Sequence, residues 1–126
     1  MEKMNVKPAT GKLGVLCVGL GAVTSTFMTG VLMARKGLAK PVGSMTQYDK
    51  MRVGRGENKK YLHYGEIVPL ANLNDIVFGA WDVYPANAYE SAVNAEVLKE
   101  KDINPVKDEL EKIVPMKAAF DHNYAS

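Results

Sequence analysis

The sequence predicts an α/β fold, a parallel sheet flanked by helices, and three observations lead there. A short β-branched apolar run (residues 12–19) is followed by a glycine turn and a helical stretch (residues 23–37). A second apolar run, Ile76-Val77-Phe78, is again followed by a turn and a helical stretch. The chain has 126 residues, 47% of them hydrophobic and 24% charged, which suits one domain with a real core. Short buried strands alternating with helices are the mark of βαβ units.

The first run, "KLGVLCVG", lies inside a longer feature. Residues 13–34 are 22 in a row without a charge, long enough to cross a bilayer. Two glycines, Gly19 and Gly21, fall mid-window, where a spanning helix most needs helix propensity. No Trp or Tyr flanks the stretch as an interface anchor, and Arg35 and Lys36 stand where a signal peptide would have its small-residue cleavage site. The stretch therefore divides into a strand buried on both faces and a helix. The alternative, a non-enzymatic protein anchored in a membrane through residues 13–34, predicts one unbroken helix there.

In the helix, Val23, Phe27, Val31 and Ala34 recur along one stripe. Arg35 and Lys36 occupy the last turn, where cations complement the helix dipole, and Gly37 suits the position just past the end. Between strand and helix stands "GLGAVT", which is G-x-G-x-x-T where the dinucleotide-binding fingerprint has G-x-G-x-x-G. Gly19 lets the chain leave the strand in a tight turn. Gly21, lacking Cβ, lets a pyrophosphate approach the backbone, and the N–H groups that follow meet its charge. Thr24 loosens helix–strand packing but brings a hydroxyl near the phosphates, as do Ser25 and Thr26. This turn makes the α/β fold a Rossmann-like one. The fingerprint's ribose-binding acid belongs about 20 residues further on. The first acid after the turn is Asp49, which is rather late.

Residues 50–66 are polar, basic and Gly-containing, and read as a loop or surface excursion. Tyr61 and Tyr64 among Lys59, Lys60 and His63 would suit nucleic acid, but a solvated loop is the better account, and no nucleic-acid partner is expected. The second apolar run begins at Asp75, and "GAWDVYPAN" reads as its turn. Asn87 and Glu90 form a capping box for a helix over residues 88–101, with Tyr89, Ala92, Val93, Ala95 and Val97 on its apolar face. Asn104 caps a further helix with Pro105 at its first position. Val106, Leu110, Ile113 and Val114 face inward and Pro115 stops it. Residues 116–121 read as another strand or an extended exit. Asp82 follows the second strand, at the carboxyl edge where open α/β sheets bind ligands. It is a candidate for the missing ribose contact and equally a turn Asp bonding its own backbone. Trp81 reads as packing.

Charge is divided unevenly. Residues 1–65 carry 11 Lys/Arg against 3 acids, and residues 66–126 carry 5 against 11. The basic half suits a phosphate-bearing ligand or a solvated surface. The single cysteine, Cys17, forms no disulfide framework, so a reducing, cytoplasmic compartment is expected, with Cys17 in the core. His63 and His122 stand alone, without metal-ligand spacing, so no metal is expected.

Four stretches carry a family resemblance: "VGLGAVTST" (residues 18–26), "PVGSMTQ" (41–47), "NDIVFGAWDVYPANAYESA" (74–92) and "PMKAAFDHNYAS" (115–126). In their order and separations the chain resembles the N-terminal part of the myo-inositol-1-phosphate synthase (inositol-3-phosphate synthase) family. "GAWD" is far more specific than the glycine-rich turn and has no reason to recur in a generic NAD(P)-dependent dehydrogenase or reductase, the other enzyme reading. The resemblance implies NAD as cofactor, and conversion of D-glucose 6-phosphate to 1D-myo-inositol 3-phosphate by transient oxidation, aldol closure and re-reduction. It implies that Gly19, Leu20, Gly21, Ala22, Val23 and Thr24 hold the pyrophosphate, that Asp82 holds the adenosine ribose, and that Ser44 and Gln47 line the cofactor site. It also implies a homo-oligomer, a tetramer in the family. Family members run several hundred residues, with catalytic lysines and sugar-phosphate site beyond this stretch. Residues 1–126 are therefore expected to be a partial NAD-binding domain, a fragment with no catalytic residue of its own and silent alone.

Overall fold

The computed structural model describes residues 6–121 and 123; His122 and the last three residues of the fourth family-like stretch lie outside them. In chain order the elements are β1 (Leu13–Val18), α1 (Ala22–Arg35), α2 (Met45–Tyr48), β2 (Lys50–Val53), β3 (Lys60–His63), α3 (Tyr64–Ile67), β4 (Ile76–Asp82), α4 (Ala88–Ala95), α5 (Glu100–Ile103), α6 (Lys107–Glu111) and β5 (Met116–Lys117). A parallel three-stranded sheet has the order β1-β4-β5, and β2 and β3 form a separate antiparallel hairpin.

The sheet runs one way, from β1 to β4 to β5. Right-handed crossovers that advance in one direction deliver their helices to the same face, and α1 and α4 do pack against each other. The core lies between those helices and the sheet. Met28, Leu32, Ala80, Ala88, Ala92, Ile103, Val106 and Leu110 are buried there, with Cys17 and Phe78 packed against them.

The same topology corrects the expectation that β1 is buried on both faces. In register, Cys17 lies beside Ala80 on the core side, and Leu16 and Val18 lie beside Gly79 and Trp81 on the other. Leu16 and Val18 are exposed, as is Val77. A sheet with all its crossover helices on one side leaves the opposite side open. Cys17 is partly buried against the core, as expected.

Helix α1 also turns a different face inward than its stripe predicts. Ser25, Met28, Thr29, Val31 and Leu32 are buried, while Val23 is 85% exposed and Phe27 44%. The helix carries a single charge, Arg35, so its apolar periodicity did not single out one face. The buried hydroxyls turn back on the helix itself: Ser25 Oγ donates to the Ala22 carbonyl and Thr29 Oγ1 to the Ser25 carbonyl. Ser25 is thus a core residue and does not present its hydroxyl at the turn. The C-terminus is capped as predicted. Gly37 has φ of 68°, its N–H donates to the Ala34 carbonyl, and the Leu38 N–H donates to the Met33 carbonyl.

The capping box at Asn87 and Glu90 is formed in both directions, at 2.9 and 3.0 Å. The helix it starts is shorter than expected. It ends at Ala95, where Glu96 takes a left-handed conformation with φ of 55°. That bend sends Leu98 onto the core and leaves Val93 and Val97 exposed. Asn104 is not an N-cap but the C-cap of α5. It is helical itself and accepts a hydrogen bond from the Tyr89 hydroxyl, while Pro105 starts a single 3₁₀ turn leading into α6. Val106 and Leu110 are buried and Ile113 partly so, but Val114 is exposed.

The basic segment forms the β2–β3 hairpin rather than a loop, though it is the surface excursion expected, with almost every residue exposed. It is inserted between α1 and β4. The Arg35 guanidinium closes that insertion at its base, donating to the Leu73 carbonyl at 2.6 Å and to the Ile76 carbonyl. Among the described residues no helix is long and apolar enough to cross a membrane, and residues 13–34 are a strand, a turn and a helix. That overturns the spanning alternative.

Candidate functional site

The site is built where β1 gives way to α1. Gly19 has φ of 98°, a left-handed conformation that glycine adopts without strain, and its N–H donates to the Trp81 carbonyl at 2.7 Å. Leu20 is buried and ties the turn to the core. Gly21 is the N-cap of α1 and offers no side-chain cap, so the helix begins with its donors uncovered. The first helical bond runs from the Ser25 N–H to the Gly21 carbonyl. The N–H groups of Gly21, Ala22, Val23 and Thr24 have no acceptor among the described residues. No acidic residue stands in the first turn to compete for them, and a Cβ built on Gly21 would meet nothing within 4 Å. Open donors, a helix dipole and free space beside a glycine are the chemistry that receives a phosphate.

Asp82 stands next to this turn. The strand reaches further than its apolar core implied: Gly79 to Asp82 continue β4, and Asp82 is its last residue. Because β4 lies immediately beside β1, Asp82 arrives at the same edge as Gly19. Its Oδ2 accepts the Leu20 N–H at 2.7 Å and its Oδ1 accepts the Tyr84 N–H at 3.0 Å. The turn reading weighed for this residue is therefore seen directly. It makes a turn with its own backbone two residues on, and it also faces the glycine turn. The backbone N–H groups of Tyr84 and Leu20 hold its carboxyl below the usual carboxylate range, against a smaller opposing effect of burial.

In the Rossmann fingerprint the ribose acid ends the strand that neighbours the first one. Asp82 occupies that place. Its distance from the glycines in sequence is long only because the hairpin and its flanking turns are spliced into the crossover.

Leu20, Gly21, Ala22, Asp82, Tyr84 and Asn94 line a cleft of about 390 Å³, with small residues of α4 closing the far side, a volume within the range of about 300–1,000 Å³ common for ligand pockets. Val23 points away, into a groove with Phe27 and Val97, and Thr24 is half-buried. Ser44 and Gln47 line a different cavity of equal volume, along the C-terminal half of α1 with Gly30, Ala34 and Pro41. The structure brings Gly19 to Ala22 together with Asp82, and does not bring Ser44 and Gln47 to them. The second cavity is almost wholly apolar, and the first holds the open N–H groups and the carboxylate. Arg52 and Arg55 lie in and beside the hairpin and line neither cavity that contains Asp82. Among the described residues no group of His, Cys, Asp and Glu is arranged to hold a metal ion.

The parallel sheet, its helices and the glycine turn define a protein of the Rossmann-like α/β class. An NAD-binding family model described as myo-inositol-1-phosphate synthase matches residues 13–126. Inositol-3-phosphate synthase 1 of Bacteroides thetaiotaomicron is 61% identical over 98% of this chain and 28% of its own. Isozyme 1 of the Arabidopsis thaliana inositol-3-phosphate synthase is 33% identical over 90% of this chain and 24% of its own. The crystal structure of the inositol-3-phosphate synthase of Caenorhabditis elegans superposes with a TM-score of 0.77 at 26% identity, over 91% of this chain and 25% of that one. The chain belongs to the myo-inositol-1-phosphate synthase family, and it spans about a quarter of the length of the relatives it matches.

Proposed function

We propose that this chain is the NAD-binding portion of an inositol-3-phosphate synthase, the enzyme that converts D-glucose 6-phosphate to 1D-myo-inositol 3-phosphate. One observation carries the reading: the N–H groups at the start of α1 have no partner among the described residues, and Gly21 and Ala22 share one cleft with Asp82. Gly19 shapes the turn, Gly21 leaves room, and the N–H groups of Gly21, Ala22, Val23 and Thr24 would receive the pyrophosphate. Asp82 would accept the hydroxyls of the adenosine ribose through the lone pairs that Leu20 and Tyr84 leave free. A carboxylate in that position disfavours the 2′-phosphate of NADP, so NAD is the expected form. When bound, NAD supplies reversible acceptance of a hydride from a sugar carbon.

The fit concerns binding and orientation. No residue of this chain is assigned to proton transfer or to the sugar, and residues 1–126 are read as a partial domain that is silent alone. Glucose 6-phosphate as substrate, a homo-oligomeric and tetrameric parent enzyme and a cytoplasmic setting belong to the same reading and rest on family membership. Calorimetric titration of the chain with NAD is the test. Saturable binding is expected, weakened about tenfold or more by Asp82→Asn. Wild-type protein that binds neither NAD nor ADP-ribose would end the proposal.

A further inference from the structure

We infer that Asp82 is a positioning residue for the phosphate end of the cofactor, apart from any contact with its ribose; the inference rests on the cofactor reading above. The residue is a junction of three segments. Its Oδ2 accepts the Leu20 N–H at 2.7 Å, its Oδ1 accepts the Tyr84 N–H at 3.0 Å, and its backbone carbonyl accepts the Ala118 N–H at 3.0 Å. The glycine turn, the turn after β4 and the end of β5 thus meet on one residue.

The bond to Leu20 falls where the pairing of β1 with β4 stops. The two strands run in register as far as Val18 and Trp81, and the Gly19 N–H still donates to the Trp81 carbonyl at 2.7 Å. Gly19 then takes φ of 98° and the chain leaves the strand. The next N–H, that of Leu20, finds a carboxylate oxygen in place of a backbone carbonyl. Two consecutive N–H groups of the turn are therefore fastened to two consecutive residues of β4. The Leu20 side chain is buried in the core, so this residue is held by backbone and side chain together. The open donors begin with the very next residue, Gly21. They follow Leu20 directly in the chain, so the place where Leu20 is held sets where they point.

Charge gives the inference a sign. A carboxylate beside a phosphate site repels the anion. Loss of that charge alone would tighten phosphate binding, whereas loss of the clasp would loosen it. Asparagine removes the charge and offers one acceptor oxygen where Asp82 uses two. The test is titration of the chain with inorganic pyrophosphate, which has no ribose, and with ADP-ribose, followed by the backbone amide signals in heteronuclear NMR. Wild type is compared with Asp82→Asn, and hydrogen exchange of the Leu20 amide is measured without ligand. Asp82→Asn is expected to weaken both ligands about tenfold and to speed exchange at Leu20 by a similar factor, as loss of a hydrogen bond to a charged group implies. Unchanged exchange at Met28 and Thr29 checks that α1 keeps its fold. If Asp82→Asn binds pyrophosphate as well as wild type or better, and ADP-ribose poorly, the positioning role is wrong and the cofactor reading stands. Wild type that binds ADP-ribose but no pyrophosphate overturns the role too. Should the variant not fold, wild type alone decides: its Leu20 amide is expected to exchange more slowly than that of Gly21, and equal rates would overturn the clasp. If wild type binds neither ligand, both readings fall together.

Discussion

The β1–α1–β4 unit and the β2–β3 hairpin could hardly differ more in what holds them. The first packs its sheet and α1 against α4 and α6, with Met28 of α1 and Leu110 of α6 wholly removed from water. The hairpin has no buried residue at all, and Met51, Val53 and Tyr61 stand exposed along it. A two-stranded ribbon alone is marginal in water. The difference teaches that this chain concentrates its packing where the candidate site is and leaves the intervening crossover exposed.

Three measurements would break or sharpen that contrast. Leu110→Ala removes a fully buried side chain from the core and is expected to cost about 2–5 kcal/mol in chemical denaturation. A loss under 1 kcal/mol would mean that the packed half is not the stable half.

Acidification comes next. The Asp82 carboxyl is lowered by the N–H groups of Tyr84 and Leu20, and the Glu109 carboxyl chiefly by its hydrogen bond to Lys36, 2.6 Å away. Both groups bind a proton more weakly folded than unfolded. Their contribution is therefore full above the ordinary carboxylate values and is lost as pH falls through the lowered, folded-state ones. Unfolding midpoints should fall with acid through that window, and Asp82→Asn should flatten the dependence. An unchanged slope would show that the carboxylate does not hold the turn.

The smallest effect is expected in the hairpin. Tyr61→Ala, at an exposed and unpaired ring, should change stability by less than about 0.5 kcal/mol. A larger loss would reveal a partner for the ribbon.

The same contrast explains what the sequence made legible. The strand, the turn and the capped end of α1 could be read because each rests on local chemistry: β-branched residues, Gly19 and Gly21, and Gly37. The capping box at Asn87 and Glu90 was legible for the same reason. The inward face of α1 was not, because a helix with one charge has no polar side to contrast with its apolar one. Gly79 looked like a turn residue, yet it lies inside β4, where Leu16 fills the space a Cβ would need: its Cδ2 would be only 2.7 Å away. The hairpin was missed because strands of four exposed residues leave no burial pattern to read. Asp82 was recognisable as an acid past a strand, but its neighbour across the sheet is a matter of topology. Ser44 and Gln47 came from family likeness alone, and the fold sets them along a different part of α1 from the turn.

The Arg35 contacts have a practical consequence. By holding Leu73 and Ile76 against the end of α1, one guanidinium brings the two ends of the inserted crossover together. Closing a loop costs only slightly more as the loop lengthens. The hairpin tip is therefore a natural port: a fluorescent reporter, an epitope or an affinity tag spliced there would hang from a clasped stem, away from the glycine turn.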